Sequence, residues 1–171
     1  MIMTANRAKR ARILALTLSV FTSIACAQTP APLPANYVQV SAPTAQRIVA
    51  AEKKQHVEIV KLGLHAVPPS LDVHAIIGSD NLQKVGKKSS AADMEKLATG
   101  KPVAVRVEKD KIYDLLLPIT DANGGDIGGG FVVMEVPFSN AKSEAEALKI
   151  GVAIRDEIQK QIPSREALYQ R

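Results

Sequence analysis

The chain has 171 residues, with 22 Lys and Arg against 17 Asp and Glu, a single Cys and no Trp. Aromatic residues make up only 4% of it, which argues against a surface that stacks nucleic-acid bases. One cysteine excludes a framework of internal disulfides, and the length suits one domain with an adequate core.

The N-terminal residues 1–27 combine basic and apolar character. Four basic residues and no acidic residue precede an apolar run over residues 13–25, and Ala25-Cys26-Ala27 follows. This pattern is typical of a secretory signal peptide, and the run is shorter than the ~20 residues that span a bilayer. We therefore expect cleavage after Ala27 and a periplasmic or secreted protein, with lipidation of Cys26 as the weaker alternative. The 22 basic residues less these four leave 18 against 17 acidic ones, which gives nucleic-acid binding little support.

Residues 28–40 are predicted to be a linker. They contain Pro30, Pro32 and Pro34, which disfavour regular structure. No internal repeat is evident, so the sequence predicts a single domain over residues 41–171.

A long first helix is predicted at the start of this domain. Pro43 suits a first helical turn, and the Pro68-Pro69 pair ends the pattern. Between them, apolar residues at near-helical spacing predict that the helix continues to about Gly63: Ile48, Val49, Ile59, Val60 and Leu62.

A buried strand and a short helix are predicted next. Residues 73–79 are apolar and partly β-branched, which favours a strand. Ser90 and Asp93 have the spacing of a capping box, and Gly100 is a typical helix stop. The short helix should therefore occupy about residues 91–99.

Three further strands are predicted at residues 102–108, 112–120 and 127–138. Alternating apolar and polar residues support the first, and the polar turn 109–111 separates it from the second. The Asn-Gly turn within residues 121–125 should connect the second strand to the third. Together they predict an antiparallel meander.

A C-terminal helix is predicted from Ser143 to about Pro163. Acidic residues near its start complement the helix dipole. Its apolar residues share one side: Ala147, Ile150, Ile154 and Ile158.

The sequence offers no strong catalytic or metal motif. His56, His65 and His74 are nine residues apart, which does not aim two rings at one ion, so no metal site is predicted. The glycine-rich residues 124–130 lie between two predicted strands and lack the Lys-Ser/Thr of a phosphate-binding loop. No Gly-x-Ser-x-Gly is present. We therefore expect no enzyme activity and no cofactor.

Four residues that interrupt otherwise apolar strands are the candidate ligand contacts: His74, Arg106, Tyr113 and Asp114. Arg106 would suit a bidentate pair with a carboxylate. The alternative for each is structural, with Arg106 on a solvated face and Tyr113 in the core.

The region over about residues 73–138 resembles the extracytoplasmic PAS-like sensor domains of the Cache or PDC type. The resemblance implies an α+β fold, in which a PAS-like antiparallel sheet of about four to five strands carries a long N-terminal helix and a C-terminal helix. It also implies a small ligand such as a carboxylate or an amino acid. The positions that carry it are Asn81, Gly86-Lys87, Leu117-Pro118-Ile119, Asp121 and Asn123-Gly124.

These observations lead to the hypothesis of a periplasmic small-molecule-binding module without its own output domain. It would present its ligand, or itself, to a membrane-bound receptor. We expect no nucleic-acid partner, and a homodimer is one expected assembly. Two alternatives remain open. One is a pocketless interaction protein that dimerises through its helices, and the other is a haem- or cofactor-binding α+β protein with one of the three histidines as axial ligand.

Overall fold

The computed structural model describes residues 32–171, which form an antiparallel sheet with helices on both faces. In chain order the elements are α1 (Pro43–Gln55), β1 (Lys61–Ala66), β2 (Ala75–Ser79), α2 (Ala91–Leu97), β3 (Val103–Val107), β4 (Ile112–Pro118), β5 (Phe131–Pro137) and α3 (Glu144–Lys160). Short 3-10 helices lie at Leu82–Lys84 and Glu166–Tyr169. The predicted signal peptide and the first residues of the predicted linker lie outside the described residues. Within residues 32–171, no helix combines the length and apolar character that a bilayer crossing requires.

The five strands lie in the order β2-β1-β5-β4-β3, and each neighbouring pair is antiparallel. β5 is the central strand, and Glu135 on it lies directly opposite both Lys61 of β1 and Asp114 of β4. The predicted α+β class, with an antiparallel sheet of four to five strands and helices packed on it, is therefore confirmed. The predicted meander is also confirmed, as β3-β4-β5.

The two faces of the sheet have different cores, because successive side chains of a strand point to opposite faces. One face packs against α1 and α3, and its largest side chains are fully buried: Leu62, Leu64, Tyr113, Leu115, Leu117, Val132 and Met134. The other face has a smaller apolar cluster, in which α2 covers Leu116, Phe131 and Val133. The rest of this second face is polar, and it positions the candidate site.

The prediction of one long first helix is wrong in its second half. α1 ends at Gln55, and residues 61–66 form β1 instead. In β1 the side chains of Leu62, Leu64 and Ala66 are buried on one face, which is a period of two and not of 3.6. Apolar residues on either side of the loop after Gln55 mimicked a continuous helical stripe.

The other element predictions agree with the structure to within three residues, except at the start of β5. Ser90 and Asp93 form a reciprocal capping box at the start of α2, and Ser143 caps α3. β5 begins at Phe131 and not at residue 127, because Gly128 and Gly129 have φ of 94° and 62° and break the extended backbone. The glycine-rich residues are a turn that Asp121 and Asp126 hold through hydrogen bonds to backbone N–H groups.

Gly78 of β2 lets the sheet approach α1 closely. A Cβ at this position would lie 2.9 Å from the carbonyl oxygen of Ala45 and 3.1 Å from a methyl group of Val49. The nearest atom belongs to the helix backbone, so it cannot move aside alone. The distance between α1 and the sheet therefore depends on a glycine at this position.

Gly78→Ala should destabilise the fold by about 1–3 kcal/mol, because the added methyl group would push α1 away from β2. The matched control is Gly63→Ala on the neighbouring strand, where the nearest atom to an added Cβ is 3.4 Å away in the side chain of His65. Urea unfolding of both variants measures the difference. Equal stability of the two variants would contradict this account.

Candidate functional site

A cavity of about 180 Å³ lies between the polar part of the second sheet face and the segment of residues 84–93. We call it the lysine cavity. Its cationic lining consists of Lys61, Lys84, Lys87 and Lys88. Its other polar lining residues are His65, Ser89, Ser90, Asp93 and Asp114.

Backbone hydrogen bonds hold the segment over the sheet. The amide of Ile76 donates to the carbonyl of Lys87 (2.9 Å), and the amide of Ser89 donates to the carbonyl of His74 (2.9 Å). Gly86 has φ of 85°, and a Cβ there would lie 2.3 Å from the carbonyl oxygen of Val38. The segment thus pairs along the outer edge of β2 and places its lysines beside the cavity.

Lys61 and Asp114 line the cavity and belong to a row of charges across three strands, with Glu135 between them. Lys61 donates to Glu135 over 2.5 Å, and Glu135 lies opposite Asp114. Burial by itself lowers the pKa of Lys61, but the hydrogen bond to Glu135 and the negative charges of Glu135, Asp114 and Asp80 together outweigh burial and raise the pKa. Burial raises the pKa of Asp114, and the charges of Glu135 and Asp93 add to the increase, while the charge of Lys61 opposes it.

Asp114 is the least satisfied member of this row. Its Oδ1 is buried and has no hydrogen-bond partner among the described residues. An unpaired buried carboxylate oxygen is costly, so this atom favours a ligand that donates a hydrogen bond.

The remaining lysines of the cavity supply unneutralised positive charge. Lys84 is half-buried, and Lys87 and Lys88 are exposed. Within residues 32–171, the ion pairs closer than 4.0 Å include none of these three side chains. The cavity therefore presents free ammonium groups at its rim and a carboxyl group at its floor.

His65 is a buried neutral side chain at the inner end of the cavity. Its Nδ1 lies 2.9 Å from the Oγ of Ser89, and its ring lies 4.4 Å from the ring of Phe131. Burial lowers the pKa of His65 to about 3, with the positive charges of Lys61 and His74 contributing and the charge of Asp93 opposing. Such a weak base is poorly suited to remove a proton from Ser89 at neutral pH. The pair suits orientation of a ligand better than nucleophilic catalysis.

The structure does not bring the four predicted ligand residues together. Asp114 lines the lysine cavity. Arg106 and Tyr113 lie away from it, because Tyr113 is fully buried in the core beneath α1 and α3. The guanidinium of Arg106 donates to the hydroxyl of Tyr113 (2.8 Å), pairs with Glu108 and lies 4.2 Å from the ring centre of Phe138.

His74 lies just before β2 in a separate open groove. Its Nε2 is 3.1 Å from the carbonyl oxygen of Gly129, and Met94, Leu97 and Pro118 also line this groove. Ligand binding by His74, Arg106 and Tyr113 stays a prediction.

The lysines of the cavity are not among the predicted ligand contacts. The apolar spacing predicts that Lys61 lies in the first helix, whereas it lies on β1 and lines the same cavity as Asp114. The run Lys87-Lys88-Ser89-Ser90 was a readable signal, because two lysines followed by two hydroxyl residues next to a buried strand are suited to an anion.

No family model and no curated protein match the chain. Among solved structures, it is similar to the C-terminal domain of the E. coli transcriptional regulator KdgR, with 10% identity and a TM-score of 0.46. That match covers 73% of this chain and 97% of the domain. The chain is also similar to the Agobacterium tumefaciens repressor BlcR, with 11% identity and a TM-score of 0.45 over 76% of this chain and 67% of the repressor.

These comparisons contradict the resemblance to Cache or PDC sensors, since the similar structures come from a transcriptional regulator and a repressor. The positions that carried the resemblance have structural roles that many folds need. Gly86 permits a close backbone contact, and Asn123-Gly124 belongs to the turn held by Asp121. They are therefore poor markers of one family.

The same comparisons, with a transcriptional regulator and a repressor, contradict the predicted periplasmic or secreted location. It rested on charge and hydropathy in residues 1–27, outside the described structure. The small-molecule-binding module stays a prediction, and a membrane-bound receptor has no support from these neighbours. With both TM-scores below 0.5, nothing more is carried over to this chain.

Replacement of His65 by Gln should flatten the loss of stability in acid. Below pH 6.5 the unfolded chain binds a proton at His65, but the folded chain does not until about pH 3, so stability falls as the pH falls through this window. The slope from this group is about 1.4 kcal/mol per pH unit. Urea unfolding of both proteins between pH 7 and pH 4 gives their free energies of unfolding. The difference between the two curves reports His65 alone, because Asp114 is present in both proteins. Parallel curves would show that His65 is not held neutral.

Proposed function

We propose that this chain is a binding module, without enzyme activity, for a small metabolite that carries carboxylates and a hydrogen-bond donor. The proposal rests on the combination of positive side chains and an unsatisfied carboxyl group in the lysine cavity. Three lysines without acidic partners lie at its rim, and a buried carboxyl group without a hydrogen-bond partner lies at its floor.

The rim favours an anion. The ammonium groups of Lys84, Lys87 and Lys88 are point charges that attract a carboxylate from several directions. Three of them exceed what one carboxylate requires, which favours a dicarboxylate. The hydroxyl groups of Ser89 and Ser90 add hydrogen-bond capacity on the same side.

The floor favours a donor on the ligand. An ammonium or hydroxyl group would supply the missing partner of Asp114 Oδ1, and an ammonium group would also lower the raised pKa of this carboxyl group. A volume of about 180 Å³ restricts the ligand to a small metabolite. An amino or hydroxy dicarboxylate meets these requirements.

L-Aspartate, L-malate and succinate are suitable probes, because they share two carboxylates and differ in the donor. We expect isothermal titration calorimetry to show tighter binding of L-aspartate and L-malate than of succinate. Asp114→Asn should remove this preference, since the amide is neutral and presents a donor as well as an acceptor. Lack of binding by all three probes would contradict the proposal.

Removal of two rim charges tests the anion contacts. Lys84→Ala/Lys88→Ala should weaken binding of each probe about tenfold or more, which corresponds to about 1.4 kcal/mol. The charge-matched control is Lys101→Ala/Lys109→Ala, at exposed positions outside the cavity. An equal loss of affinity in both double variants would show that only the net charge of the protein matters.

A further inference from the structure

A second polar cluster lies on the other side of the sheet, between the end of α1 and the face of α3. Glu52 and His56 are four residues apart at the end of α1, so their side chains project to the same side. Glu157 of α3 reaches the same place from 101 residues further along the chain than His56. One imidazole and two carboxylates thus meet where two helices pack.

The separations of the three ligand atoms suit a metal ion. Nε2 of His56 is 3.2 Å from Oε2 of Glu52 and 3.2 Å from Oε2 of Glu157. All three atoms lie within 4.8 Å of one another. Ligands at about 2.1 Å from a tetrahedral Zn²⁺ lie roughly 3.4 Å apart, so small movements would bring all three into range.

Hydrogen bonds outside this group orient two of the ligands. Nδ1 of His56 lies 2.8 Å from the carboxylate of Glu58, and donation across this contact leaves Nε2 with a lone pair directed at Glu52 and Glu157. Gln161 donates to Oε1 of Glu52, which leaves Oε2 for another partner. A carboxylate behind a ligating histidine is a common feature of protein metal sites.

Glu52 provides an independent indication that something binds here. Its side chain is 2% exposed, and its Oε2 has no hydrogen-bond partner among the described residues. A proton on Nε2 of His56 would not satisfy both acidic neighbours, because one N–H group points in one direction. A cation between the three atoms would contact each of them.

We propose that Glu52, His56 and Glu157 bind a divalent metal ion, with Zn²⁺ as the preferred class. Imidazole nitrogen together with carboxylate oxygen suits Zn²⁺ and related transition metals, whereas Mg²⁺ and Ca²⁺ prefer oxygen ligands alone. Three protein ligands leave the fourth position to water, on the side of the cleft that Asn140 and Lys149 line.

The ion would join α1 to α3 on the apolar side of the sheet. Glu52 is buried and Glu157 is exposed, so the ion would lie between the protein interior and the surface. Metal binding stabilises a fold when the unfolded chain lacks a preformed site. The inference is independent of the lysine cavity, because no residue lines both sites.

Zn²⁺ titration of the full chain in competition with a chromophoric chelator tests the inference. We expect one equivalent to bind, and His56→Gln and Glu157→Gln each to weaken binding at least tenfold. Glu58→Gln should also weaken it by about tenfold, because it removes the carboxylate behind the histidine. Co²⁺ as a spectroscopic substitute should give visible absorption typical of low coordination number, which His56→Gln removes.

The controls separate this site from other sources of binding. Glu144→Gln makes the same charge change at an exposed position on α3 and should leave Zn²⁺ affinity unchanged. Lys84→Ala/Lys88→Ala should also leave the Zn²⁺ affinity unchanged. The Zn²⁺ titration therefore does not depend on whether the lysine cavity binds a metabolite. Because Glu157 is exposed, its substitution should not prevent folding, which circular dichroism checks. Absence of Zn²⁺ binding, or binding that His56→Gln and Glu157→Gln do not weaken, would overturn the inference.

Discussion

The separation of the sheet into two unlike faces is the constraint on which the other features depend. Side chains alternate along β1, β4 and β5, so Leu62, Tyr113 and Met134 lie on the face beneath α1 and α3 while Lys61, Asp114 and Glu135 lie on the other. A slip of one residue in any of these strands would exchange the two sets. The apolar face therefore fixes the register that aligns the polar row.

The polar row is suited to recognition because its charges do not cancel completely. Lys61 and Glu135 pair, but Asp114 is left beside a like charge with one buried oxygen unsatisfied. Buried polar groups without partners are uncommon in folded proteins, and each calls for a physical explanation such as a bound water or ion. The three lysines of the covering segment supply the opposite charge, so the lysine cavity presents both polarities.

The apolar face has its own polar exception at its edge. Glu52 is buried among the residues that join α1 to α3, yet only one of its oxygens accepts a hydrogen bond. The lysine cavity and this cluster lie on opposite faces of the sheet, and each contains a buried carboxylate oxygen without a hydrogen-bond partner among the described residues. The lysine cavity is suited to an organic ligand that donates a hydrogen bond, and the cluster around Glu52 is suited to a metal ion.

Predictions that depended on neighbouring residues succeeded. The capping box of Ser90 and Asp93 and the helix α3 were correctly predicted, because caps and amphipathic patterns are local properties. The first helix was extended too far, because Ile59 and Leu62 fit a helical period as well as a strand that follows a loop. Short apolar runs do not distinguish the two structures without knowledge of their partners.

The sequence by itself determined the α+β class, the capped helices, the turns and the absence of a familiar catalytic motif. Only the tertiary structure decided which residues meet. Asp114 is recognisable in the sequence as a polar interruption of an apolar strand, but Lys61 and Lys88, which line the same cavity, come from distant parts of the chain. Glu157 is likewise adjacent to His56 only because α3 packs beside α1. Such contacts depend on strand order and helix packing, which local patterns of residues do not encode.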